Sequence, residues 1–327
     1  MPALHNSYLF HLAEPEEEPL RLVGIAKLAA QGEFVRPGHN VQYFTLEARS
    51  LLNRCTAPRM PFKWTINPYR GCEFACKYCY ARYTHEFMEM RDGLDFERKI
   101  YIKQQAAWLL RRDLRKVKRG EAIAIGTATD PYQPAERQHR ITRDILEELA
   151  QHRLYVNVTV TTLDARLARL LEPRAPRPDL RMNAVEELNR AGIDAGVICA
   201  PVLPGITDSE ESLEALVAAT KEAGGKNIFA NPLFLKPCSA AVFLPFLEKE
   251  FPALVKQYQE RYASRAFVSE AYHRNISKLM AKLREKYAIN FEREPRTAAP
   301  VNAASATQLS LFQAPAPATA RVHCEGQ

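Results

Sequence analysis

The sequence predicts an α/β protein: a partial TIM-like (βα) barrel with a disordered C-terminal tail. Two observations carry this. From Trp64 onward, short β-branched runs alternate with amphipathic stretches of helical period. Strand-then-helix order, repeated, implies a parallel sheet with right-handed crossovers. After Pro295 the composition changes: residues 295–327 hold nine Ala and four Pro without apolar periodicity. Such a segment cannot bury enough apolar surface to fold.

Taken in order, residues 1–60 carry few periodic signals and read as an irregular N-terminal wrap. Their polar start, with the acidic run Glu16, Glu17 and Glu18, is unlike a signal peptide. No apolar run approaches the length that crosses a bilayer, so a cytoplasmic protein without a membrane partner is expected. The barrel domain is expected over 61–290. Its strands are predicted at 65–69, 122–127, 154–161, 195–201 and 227–235. Helices are predicted at 104–116, 141–151, 164–171, 178–191, 209–223 and 242–262, and a last one at 270–287 closes the folded part.

Of the seven cysteines, Cys72, Cys76 and Cys79 fall within one short segment, Asn67-Pro68-Tyr69-Arg70-Gly71-Cys72-Glu73-Phe74-Ala75-Cys76-Lys77-Tyr78-Cys79-Tyr80. An odd count without a secretory signal argues against a disulfide framework. The segment follows a predicted strand, and Pro68 and Gly71 break regular structure there. The cysteines are therefore expected on a loop at the strand's C-terminal end, where βα barrels carry their active sites. Three clustered thiolates can hold three corners of a cubane iron–sulfur cluster and leave one iron open to a ligand. A zinc site with His85 as the fourth ligand is the competing structural reading.

The C-x3-C-x2-C spacing, with Tyr78 before the third cysteine, resembles the signature of the radical S-adenosylmethionine (SAM) superfamily. That resemblance implies a [4Fe–4S] cluster whose open iron binds the amino and carboxylate groups of SAM. It further implies one-electron cleavage of SAM to a 5′-deoxyadenosyl radical, with an electron donor such as flavodoxin or ferredoxin. Gly126-Thr127-Ala128-Thr129-Asp130-Pro131-Tyr132-Gln133-Pro134 and Leu171-Glu172-Pro173-Arg174-Ala175-Pro176 narrow the likeness. With the cysteine segment they resemble the branch similar to spore photoproduct lyase, often described as DNA-repair lyases. The likeness runs over about residues 20–290. It implies that Tyr78 lies near the adenine and that Thr127, Thr129 and Asp130 lie near the methionine moiety. Thr162 and Arg181 would stand on the same rim, and Val202 would end an adenine-facing strand.

Two departures qualify the likeness. The stretch 122–130 has no cysteine at the place where spore photoproduct lyase carries its hydrogen-atom donor, which leaves Cys199 and Cys238 as alternatives. A lone Cys is otherwise a small core residue. Relatives also carry a further strand–helix unit where this sequence joins helix to strand through Gln151-His152-Arg153. The barrel is therefore expected to be one βα unit short, with five core strands.

The formal net charge is +7, and Arg111, Arg112, Arg115, Lys116, Lys118 and Arg119 supply much of the excess. That suits a nucleic-acid partner but equally a solvated helix face. Three functions follow: a radical SAM enzyme acting on DNA in repair or modification, one acting on a small molecule or peptide, and a cluster-bearing protein that no longer cleaves SAM. In the tail, Gln308, Leu309, Leu311 and Phe312 match the short motif by which bacterial repair proteins bind the DNA sliding clamp.

Overall fold

The computed structural model describes residues 22–37, 40–56, 60–150, 152 and 154–289. The expected tail, with Cys324 and the Gln308–Phe312 motif, lies outside the described residues.

Among the described residues, ten strands form three sheets. In chain order they are β1 (Phe34–Pro37), β2 (Gln42–Leu46), β3 (Leu52–Arg54), β4 (Trp64–Ile66), β5 (Tyr69–Arg70), β6 (Lys99–Lys103), β7 (Ile123–Ile125), β8 (Val156–Thr159), β9 (Ala195–Val202) and β10 (Ile228–Pro232).

The expected βα alternation is clearest in the sheet ordered β10-β9-β8, which is parallel throughout. Helices Ala165–Leu171 and Pro178–Arg190 cross from β8 to β9, and Glu210–Glu222 crosses from β9 to β10. Asp164 starts the first, its Oδ1 accepting from the Arg166 and Leu167 amides at 2.8 and 3.1 Å. Ser209 caps the third, its Oγ accepting from Ser212 N at 3.1 Å. Both satisfy amides that a helix start leaves without partners. Beneath the sheet, Val185, Val197, Leu213, Leu216 and Val217 meet Ile276, Met280 and Leu283 from the helix Glu270–Lys286. Those last three recur at helical spacing and form one stripe.

A second sheet pairs β4 parallel with β7 and antiparallel with β3. Helices Ala106–Asp113 and Ile141–Glu148 cover it, packing Leu109, Leu110 and Ile145 on Ile66 of β4. Among the described residues no ladder joins β7 to β8.

The third sheet, β1-β2-β6-β5, corrects the N-terminal expectation. Within 1–60, which was expected to be irregular, the helix Gly24–Ala30 and strands β1, β2 and β3 form, and β2 pairs parallel with β6. β2 reads Gln-Tyr-Phe-Thr-Leu and β6 Lys-Ile-Tyr-Ile-Lys. Neither alternates apolar with polar, because β6 is buried over most of its length. Such short runs have no period to detect. Phe44 stacks on Tyr101 with centroids 5.3 Å apart.

Two smaller corrections have local causes. The strand expected at 65–69 is interrupted at Asn67-Pro68 into β4 and β5, since proline cannot donate to a ladder. The helix expected at 242–262 is two, Pro237–Glu250 and Val255–Tyr262, separated at Pro252. No helix among the described residues is long and apolar enough to cross a membrane.

Candidate cluster and cofactor site

The cysteine loop leaves β5 at Gly71, where φ is +83° and an added Cβ would stand 2.7 Å from the Lys99 carbonyl and 2.8 Å from that of Phe96. Only glycine fits so close a backbone approach. Cys72 N then donates to Phe96 O at 3.0 Å. From there the loop is held by side chains of other elements acting on its carbonyls. Thr129 Oγ1 donates to Gly71 O at 2.6 Å and Gln133 Nε2 to the same oxygen at 3.2 Å. Arg82 Nη2 donates to Cys76 O at 2.9 Å, and Ser239 Oγ to Cys79 O at 2.9 Å. Arg82 is fully buried and paired with Glu97 at 2.6 Å. Glu73 accepts from Tyr43 Oη at 2.6 Å and from Ala135 N at 2.9 Å. The bonds from Arg82 and Ser239 fix the Cys76 and Cys79 backbone directly, and those to Gly71 and Glu73 fix the residues on either side of Cys72.

The thiols of Cys72, Cys76 and Cys79 are free and share an apolar enclosure with Phe74, Ala81, Phe96 and Ala175. Burial pushes all three up. Asp130 adds to this at Cys72 and Glu172 at Cys76, while Arg82 partly offsets it at Cys79. Such thiols become thiolates when a metal's charge is present. The donor set therefore fits an iron–sulfur cluster.

The zinc alternative requires His85 as its fourth donor, whereas a cubane takes each of the three thiolates on a different iron. His85 is engaged elsewhere. Its Nε2 lies 3.1 Å from Lys99 O, and its ring meets Phe96 edge-on at 5.2 Å between centroids.

Of the residues expected to face SAM, the structure joins two through a carboxylate. Tyr78 Oη donates to Glu172 Oε1 and lies 3.1 Å from Thr161 Oγ1, while Arg181 Nη2 donates to Glu172 Oε2. Arg181 also donates to Thr159 O at the end of β8 and to Pro176 O, both at 2.9 Å. Burial and the neighbouring Glu172 push the Tyr78 phenol well up. Asp130, raised by burial, feels Arg181 and Glu172 and itself acts on Cys72. Tyr78, Asp130, Glu172 and Arg181 thus form one polar group beside the cysteines.

The remaining expected residues sit differently. Thr127 Oγ1 accepts from Asn67 Nδ2 at 3.1 Å, and Thr129 braces Gly71. Thr162 Oγ1 accepts from Asp164 N at 3.1 Å, a turn role at the end of β8. Val202 ends β9 inside the apolar core. Cys199, the candidate hydrogen-atom donor, is fully enclosed there, its Sγ 3.8 Å from Thr161 O and its thiol pushed up to about 12 by burial. That packing is of a small core side chain.

Sequence reasoning missed Glu172, Asn67, Gln133 and Ser239 as functional positions. Glu172 and Gln133 lay in quoted motifs, where an acid ahead of a proline and an amide between prolines are the available signals. Ser239 contacts a loop 160 residues earlier, and no local pattern reports that. The basic run on Ala106–Asp113 and beyond is partly neutralised: Arg111 pairs with Glu148, and Arg112 and Lys116 pair with Asp113 at 3.4 and 2.9 Å.

The chain and its fold have relatives. The family model of the Radical SAM superfamily matches residues 110–217, from the end of helix Ala106–Asp113 into Glu210–Glu222. Uncharacterized proteins of Mycobacterium bovis and Mycobacterium tuberculosis are each 30% identical over 322 residues, covering 90% of this chain and 94% of theirs. One from Methanocaldococcus jannaschii is 22% identical over 253 residues, covering 70% of this chain and 92% of its own. Two mutant structures of spore photoproduct lyase share the fold. The first has a TM-score of 0.58 at 13% identity, covering 75% of this chain and 79% of that one. The second, with bound AdoMet and dinucleoside spore photoproduct, has a TM-score of 0.55 at 14% identity over 74% and 79%. The cysteine loop, its braced backbone and these likenesses agree: the chain belongs to the radical SAM superfamily, whose members carry an iron–sulfur cluster and use SAM.

Proposed function

We propose that the protein is a radical SAM enzyme that holds a [4Fe–4S] cluster on Cys72, Cys76 and Cys79 and acts on nucleic acid, in repair or modification. When bound, the cluster and SAM supply a 5′-deoxyadenosyl radical by one-electron cleavage of the sulfonium. The protein's own part is to bind, orient and exclude water. The observation that carries the reading is the loop itself: one buried and two half-buried cysteines on a backbone whose carbonyls at Gly71, Cys76 and Cys79 each accept from a side chain outside the loop.

Beside it, Arg181 holds the Glu172 carboxylate, which in turn orients the Tyr78 hydroxyl and the Thr161 hydroxyl. This arrangement keeps a fixed set of charges and hydroxyls next to the cysteines. Thr127, Thr129 and Asp130 complete the rim on the β7 side. The pairs β4–β7 and β8–β9–β10 together read as a radical SAM partial barrel of five core strands, one βα unit short between β7 and β8. The short rim predicts weak SAM affinity when no substrate is present.

Nucleic acid is favoured as the substrate by the net charge of +7 and by the fold shared with a lyase whose bound ligand is a dinucleoside photoproduct. An electron donor of the flavodoxin or ferredoxin kind, a cytoplasmic location and docking to the sliding clamp through Gln308, Leu309, Leu311 and Phe312 belong to the same reading. A second reading, a cluster-bearing protein without SAM cleavage, draws on the lack of a β7–β8 ladder among the described residues. The test is anaerobic SAM cleavage with dithionite, with and without DNA. Release of 5′-deoxyadenosine that rises with DNA is expected. Release indifferent to DNA points to a small-molecule or peptide substrate, and no release leaves the second reading.

A further inference from the structure

Tyr80, directly after Cys79, donates its hydroxyl to Thr127 O and is 42% exposed. Its ring lies 6.2 Å from that of Phe234, which stacks on Phe267 at 4.5 Å with an interplanar angle of 29°. Phe267 is 63% exposed. The Phe234–Phe267 stack is rigid, because an antiparallel bridge joins the two residues and Leu235 N donates to Ala266 O at 2.9 Å. On the same side, Lys236 Nζ stands 3.7 Å from the Tyr83 ring centroid, and Tyr83 meets Phe87, itself 59% exposed, edge-on at 5.8 Å.

An exposed run of aromatic rings is unusual on a soluble protein and marks a surface that meets something. These rings have two further properties. Phe267 has one face stacked on Phe234 and is otherwise exposed, and Tyr80 beside them is exposed as well. Cations stand beside them: Lys236 Nζ is 6.0 Å from the Phe234 ring centroid, and the exposed Arg265 is two residues from Phe267. Flat open rings with flanking cations match a planar, electron-rich partner attached to an anionic backbone, which describes an unpaired nucleobase with its phosphate. An apolar peptide has no need of exposed ring faces or of the cations.

We propose that Tyr80, Phe234 and Phe267, with Lys236, form a stacking platform for unpaired bases of a single-stranded nucleic acid, beside the cysteine loop. This rests on the nucleic-acid reading above and makes it specific. The platform presents bases one residue along the chain from Cys79, so it would place a substrate strand rather than merely tether it.

The test uses the anaerobically reconstituted full chain and fluorescence anisotropy with a labelled oligonucleotide of about twelve nucleotides, within the span one such site covers. DNA and RNA forms and an abasic strand of equal length are compared. The expected result is about ten-fold weaker binding for the abasic strand and for Phe267→Leu, with Phe267→Tyr restoring affinity. Leucine keeps an apolar side chain and removes only the ring, so a general apolar contact would tolerate it. Equal binding of abasic and normal strands, or of Phe267→Leu and the native chain, overturns the proposal. No binding of any strand also overturns it, and 5′-deoxyadenosine release by the same preparation then shows that the radical SAM reading survives alone. If sedimentation shows a dimer that Phe267→Leu dissolves, the occupant is a second copy, and the proposal fails.

Discussion

Beneath β8–β10, Val185, Val197, Leu213, Leu216 and Met280 pack with almost no polar atom among them. Around the cysteine loop, Arg82, Glu97, Glu73, Thr129 and Gln133 are buried and hydrogen-bonded. The first region is held by area removed from water, a force without direction. The second is held by directional bonds, which cost desolvation and return geometry. A cluster and a cofactor need cysteine positions fixed to a fraction of an ångström, and apolar packing alone does not fix carbonyl directions. The difference suggests that damage to the apolar half lowers stability, whereas damage to the polar half lowers stability and cluster content together.

Four experiments break or sharpen this contrast. Arg82→Ala strands the Glu97 carboxylate and frees the Cys76 and Gly93 carbonyls. Removing one partner of a buried pair costs about 4 kcal/mol, and iron content should fall with the melting temperature. Leu283→Ala opens a cavity against β8–β10 and should cost about 3 kcal/mol, with iron per folded protein unchanged. Loss of iron in that variant would erase the distinction between the halves.

The third experiment uses acid. Burial lowers the His85 imidazole to about 4, opposed by the hydrogen bond to the Lys99 carbonyl and helped by the Arg70 charge. The unfolded chain therefore binds the proton first, so stability is full above about pH 6.5 and is lost as pH falls toward the folded value, by about 3 kcal/mol in all. Denaturant melts between pH 7 and 4 should show this slope, and His85→Gln should flatten it. The smallest effect expected is that of Thr129→Val, which removes one hydrogen bond to Gly71 O. It should cost about 1 kcal/mol and slow cluster reconstitution more than it lowers the melting temperature.

The two regions also differ in how far they could be read from the chain. The strands of β8–β10 and their helices fell within a few residues of expectation, because β-branched runs and capped amphipathic helices are local signals. The grouping of Cys72, Cys76 and Cys79 on one loop after a strand was legible by spacing. The β1-β2-β6-β5 sheet was not, since Gln42–Leu46 and Lys99–Lys103 are short and non-periodic, and their pairing is long-range. Tyr78 and Arg181 were singled out, but the Glu172 that joins them was not assigned a role. A contact between the end of one helix and the start of the next depends on the turn at Pro173–Pro176, which no period encodes. Cys199 was named for its chemistry, and only its enclosure in the core showed why packing suffices to explain it.

The central claim is that the polar half exists to hold a cubane cluster on three cysteines. It is tested most directly by anaerobic reconstitution, followed by iron and acid-labile sulfide analysis of the native chain and of Cys72→Ala, Cys76→Ala and Cys79→Ala. The account predicts brown native protein with about four irons and four sulfides, and loss of both in each variant. A colourless protein carrying one zinc, or variants that keep a full cluster, would contradict it.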